Sequence, residues 1–131
     1  MKSDTQYAID GNNFSDFEGF ISEFNIKVFG DRKTWNGDLD QLNDMLRGGF
    51  GTPSSNESFI IRWKNSEKSK SELGHEAMRQ RLIALKDEVH PSNVQSWQHR
   101  IDLAARKQGQ TLFEQIVDII LKHRNINLIL D

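Results

Sequence analysis

Short apolar runs alternate along this chain with longer stretches of three- and four-residue periodicity. Gln6 to Asp10 (QYAID) reads as a strand, closed by the turn residues Gly11-Asn12-Asn13. Phe14, Phe17, Phe20, Ile21, Phe24 and Val28 then recur at helical steps, which predicts an amphipathic helix. Ser15 or Asp16 caps its start, and Gly30 its end. Asn36-Gly37 marks a turn. Asp38-Leu39-Asp40-Gln41 follows with the spacing of a capping box, and Leu39, Leu42 and Leu46 share a face before Gly48-Gly49 closes the helix.

After a loop over 51–56 (GTPSSN), Ser58 to Trp63 (SFIIRW) predicts a second strand. From Asn65 to Gly74 the chain is strongly polar. An amphipathic stretch carrying Met78, Leu82, Ile83, Leu85 and Val89 breaks at His90-Pro91, and a further helical stretch runs from Val94 to Ala105. Thr111 to His123 predicts a long helix with an apolar face, and Ile126 to Leu130 a last strand. Short apolar strands separated by helices point to an α/β fold with a small parallel sheet and crossover connections.

Composition narrows the function more than the fold. The 131 residues fit one domain and can bury a core without staples. With no cysteine, there is no disulfide, thiol nucleophile or zinc–thiolate site. The N-terminal MKSDTQYAID lacks the apolar run of a signal peptide, and no segment approaches the ~20 apolar residues that span a bilayer, so a cytoplasmic protein without membrane contact is expected. Net charge is −2 and the pI about 6.1, which disfavours direct nucleic-acid binding. The charge is uneven. Residues 75–108 hold six Lys and Arg against four Asp and Glu, while the remainder holds eleven against fifteen. An acidic body with one mildly basic segment speaks to partners.

The acidic stretch TWNGDLDQLNDML is the candidate site. Asp40 and Asp44, four apart, stack on one helix face and repel. As a calcium loop beginning at Asn36 it fails, because Gln41 and Arg47 stand where Gly and Glu are needed. Magnesium, which needs one or two carboxylates, stays open. A carboxylate pair for acid–base hydrolysis also has the spacing, but no sugar cleft, phosphate-cradling glycine loop or nucleophile motif accompanies it. His75, His90 and His99 suit surface roles. No enzyme activity, cofactor or resident metal is expected. The architectural alternative makes Asp38 an N-cap, sets Asp40 against the helix dipole and leaves Asp44 solvated.

Taken in order, YAIDG, WNGDLDQLNDML, FIIRWKNSEKSK and the segment Glu114 to Leu130 resemble the barstar-like family of intracellular ribonuclease inhibitors. The resemblance covers residues 6–74 and 110–131 and leaves 75–109 as a helical insert within one domain. It implies a barstar-like α/β fold, with a small three-stranded parallel sheet packed with helices. It also implies a function: an acidic helix and the loop before it block the active site of a ribonuclease or related nuclease toxin, the inhibitor being a monomer when free. By position, Asp40 and Asp44 match the family's inhibitory aspartates, Trp35 matches the second of two loop tyrosines, and Asp118 matches one late-helix acid. Asn36 and Gly37 lie in the same loop. The chain departs from the pattern at Thr34 (a tyrosine in the family), Asp38 (asparagine), Asn43 (tryptophan), Arg47 (threonine) and Lys122 (an acid). The implied partner surface is therefore Trp35, Asn36, Gly37, Asp38, Asp40, Asn43, Asp44, Arg47 and Asp118. The alternative is an interaction module on the same fold, without nuclease inhibition, that binds another partner through the insert.

Overall fold

Three strands, β1 (Thr5–Asp10), β2 (Phe59–Lys64) and β3 (Ile126–Leu130), lie side by side in that order and all parallel. The computed structural model describes residues 5–30, 34–48, 50, 52–53 and 56–131. The expected helix stop at Gly49 and positions 51, 54 and 55 of the expected loop lie outside the described residues. The register sets Tyr7 opposite Ile61 and Ile61 opposite Leu128. Phe59, Ile61 and Trp63 are buried while Ile60 and Arg62 between them are half-buried, the period of two expected of a pleated strand with one covered face.

Among the described residues six α-helices accompany the sheet: α1 (Phe17–Phe24), α2 (Leu39–Met45), α3 (Ser66–Glu72), α4 (His75–Leu85), α5 (Val94–Ala105) and α6 (Leu112–Leu121). The first expected helix is in fact two pieces. Asp16 caps α1 through its bond from Gly19 N, and a wide π-helical turn over Asn25–Phe29 carries the chain to Gly30 in the left-handed conformation. Helix α6 has a complete capping box. Thr111 Oγ1 accepts from Glu114 N and Glu114 Oε1 accepts from Thr111 N, which pulls the Glu114 carboxyl below its ordinary range.

Helix α3 was not legible as a helix, because SEKSKSE has no apolar stripe. It is fixed by polar bonds instead. Lys68 Nζ donates to Gly11 O, Phe14 O and Glu72 Oε1, and Ser69 Oγ accepts from Trp63 Nε1 in the core. The core holds an aromatic cluster: Phe20 stacks on Trp63 at 5.1 Å and meets Trp35 edge-on at 6.0 Å, with Phe14, Phe17, Phe24 and Phe113 around them.

Residues 75–109, the insert that the resemblance implies, form a closed excursion. Phe113 N donates to Leu73 O at 2.7 Å, and His75 Nε2 lies 2.9 Å from Gly109 O, so the chain leaves and returns at one place. Between these points α4 and α5 pack together, and Met78, Leu82, Ile101 and Ala104 join the core of the body. Trp97 locks the pair by donating its Nε1 to Leu82 O at 2.7 Å. Among the described residues no helix is long and apolar enough to cross a membrane.

Candidate functional site

The acidic segment is built from the inside outwards. Asn25, fully buried in the π-turn, grips the backbone of Trp35 from both sides: its Oδ1 accepts from Trp35 N at 2.8 Å and its Nδ2 donates to Trp35 O at 2.7 Å. The Trp35 ring is 1% exposed and packs on Phe17, Phe20 and Phe24, and its Nε1 donates to Asp38 O at 2.7 Å. The Trp35 side chain is therefore closed off from solvent in this structure, although the resemblance matches it to the second of two loop tyrosines and so to the partner surface. A large indole buries more apolar area inside than a loop tip can offer, and here it serves as the anchor of the loop.

From that anchor the loop turns tightly. Gly37 has φ +99°, and a Cβ there would come 2.5 Å from Ile21 Cδ1, so only glycine fits. Asn36 Oδ1 accepts from Asp38 N at 3.0 Å. Asp38 Oδ1 in turn accepts from Gln41 N at 3.0 Å and caps α2. The expected capping box is thus half formed, because Asn36 takes the backbone N–H that Gln41 would have reached. Leu39, Leu42, Met45 and Leu46 are buried beneath the helix, leaving Asp38, Asp40 and Asp44 exposed.

Two clefts divide the expected site. A small one of about 250 Å³ runs between α2 and α6 and brings Asp40, Asn43 and Asp118 together, with Lys122 on its rim. Gln110 Nε2 donates to Asp118 Oδ2 at 2.6 Å. A larger groove of about 740 Å³ separates Asn36, Gly37, Asp38 and Asp40 from the insert, whose wall includes Arg81, Trp97 and Arg100. Asp44 and Arg47 lie outside both and pair with each other at 3.5 Å, both well exposed. Asp44 therefore has an intramolecular partner, although an exposed pair one turn apart is worth little. Asn43 is half-buried, with Oδ1 accepting from His123 Nε2 at 2.9 Å, which ties α2 to the turn after α6. Burial, then the nearby Arg47 and Lys122 charges, lowers the His123 pKa below its ordinary 6.5.

Sequence reading missed Asn25, His123 and Arg81. Asn25 did leave a signal, as a polar residue on the apolar stripe of the first helix. Among the described residues no group of three or more His, Cys, Asp or Glu is placed to hold a metal ion. The arrangement offers exposed carboxylates on a rigid frame, suited to accepting charge-assisted hydrogen bonds from cations. No protein-family model matches the chain, and no curated protein matches it.

Proposed function

We propose that this chain is a barstar-like inhibitor that binds and blocks the cationic active site of a ribonuclease or related nuclease toxin in the cytoplasm. The supporting observation is the exposed carboxylate row Asp38, Asp40 and Asp44, with Asp118 beside it across the α2–α6 cleft, on a loop and helix pinned through Trp35. A nuclease gathers phosphates with Arg, Lys and His, and rigid carboxylates stand in for those phosphates through short, charge-assisted bonds. The parallel three-stranded sheet and helices agree with the fold that the sequence resemblance implies. Neither catalysis nor a cofactor is part of this reading.

Mixing the purified protein with a small basic ribonuclease should give a tight, salt-sensitive complex and loss of nuclease activity. Asp44→Ala, whose side chain carries little of the fold, should weaken that complex at least tenfold (about 1.4 kcal/mol). Unchanged affinity would remove Asp44 from the interface, and no complex at low salt with any basic nuclease tried would remove the function.

A second reading has its own observation. Ile83 and Val94 are exposed on the insert, 45% and 37%, and neither lines the large groove, so the outer face of the insert offers an apolar surface for a partner that is not a nuclease. Replacing 76–108 with a short linker separates the two readings, since the ends of the insert already meet. Retained inhibition favours the nuclease inhibitor. Loss of all partner binding in a folded variant favours the module.

A further inference from the structure

Arg81 reaches from α4 of the insert into the groove that Asn36, Gly37, Asp38 and Asp40 line from the other side. Its guanidinium carbon stands 4.9 Å from the centre of the Phe17 ring. Phe17 meets Trp35 edge-on at 6.2 Å, and Trp35 holds Asp38 O. These contacts hold Arg81 on the Phe17 ring within the groove that the acidic loop lines. Arg79 on the same helix instead pairs with Glu76 at 3.0 Å. Burial disfavours the Arg81 charge and lowers its pKa, and Asp38 and then Asp40 offset only part of that cost. A guanidinium on an aromatic face, in a groove whose other wall carries carboxylates, is not a freely solvated surface charge.

We infer that Arg81 is a specificity determinant, a built-in cation that screens the Asp38–Asp40 end of the acidic face and directs a cationic partner to the α2–α6 cleft and Asp44. The inference rests on the reading of this face as the partner surface. Without the insert, three carboxylates in a row would attract any basic protein. With Arg81 in place, the Asp38–Asp40 end is partly screened, and a partner gains most from Asp118 and Asp44 on the side away from the insert.

The full-length protein tests this with Arg81→Gln, Arg81→Met and Arg81→Lys. Arg81→Met keeps an apolar stem over Phe17, so the loss of charge is read twice in differently packed variants. The probe is a labelled oligo-arginine peptide, its affinity read by fluorescence anisotropy. Removing a cation that shares the groove with Asp38 and Asp40 should tighten binding by about three- to tenfold at low salt. The gain should vanish near 1 M salt, where the screening length falls to about 3 Å. Arg81→Lys should stay within twofold of wild type, and the gain should be absent when Asp38 and Asp40 are both changed to Asn. Equal or weaker peptide binding by the Gln and Met variants overturns the inference, as does a gain that survives loss of both aspartates. A parallel assay with a small basic ribonuclease keeps the two readings apart. A peptide gain without nuclease inhibition by the wild type sinks the inhibitor reading and leaves the screening role standing.

Discussion

Asn25→Ala is the perturbation that most directly tests how the acidic loop is held. The substitution removes both side-chain bonds to Trp35, leaving a buried N–H and a buried C=O without partners. Each buried group left unsatisfied costs about 1–3 kcal/mol, so the pair should cost about 2–5 kcal/mol after some relaxation. That is a large fraction of the 5–15 kcal/mol typical of a domain's stability (roughly). With a urea slope of about 2 kcal/mol/M, a loss near 3 kcal/mol lowers the unfolding midpoint by about 1.5 M. Asn25→Asp is the sharper control. It keeps an acceptor for Trp35 N–H but sets a carboxylate oxygen against Trp35 O, so it should destabilise at least as much at neutral pH. Part of that loss should return in acid, where the protonated group donates again. Equilibrium urea unfolding with an unchanged slope reads all three proteins. A midpoint for Asn25→Ala within about 0.3 M of wild type would show that the loop is held elsewhere.

Other consequences follow from the same geometry. Gly37→Ala forces an unfavourable φ and a clash with Ile21, so it should cost about 1–3 kcal/mol in thermal unfolding and weaken partner binding more than its stability loss explains. His123 sets a pH dependence. Its pKa is lowered on folding, so the unfolded chain takes up the proton first, and stability should fall as pH drops from 6.5 towards the folded pKa and stay flat above. His123→Gln, which keeps an N–H for Asn43, should flatten that slope in melts between pH 5 and about pH 7.5, and an unchanged slope would assign it to other groups.

Most of the architecture was legible because it follows local periodicity. The apolar steps from Phe14 to Val28, the strand SFIIRW and the capped helix after Thr111 all form close to where the pattern puts them. The failures come from polar groups whose partners a periodicity reading does not identify, some distant in sequence and some near. Nothing in SEKSKSE predicts a helix by periodicity, because it is held by Lys68 reaching Gly11 and Phe14, far away in sequence, and by Ser69 accepting from Trp63. Trp35 reads as a loop residue until Asn25 and three phenylalanines are seen to close around it. The capping box at Asp38 is half right, since Asn36 competes for the same N–H. The carboxylates themselves were found in the sequence. Their division between two clefts was not, because it depends on where α4 and α6 settle against α2.

The most direct test of the central claim is a hydrogen–deuterium exchange footprint of the protein with and without a small basic ribonuclease. Residues 36–47 and the segment around Asp118 should exchange more slowly in the complex, while the outer face of the insert around Ile83 and Val94 should be unchanged. Protection confined to the insert, with residues 36–47 exchanging as in the free protein, would contradict the account.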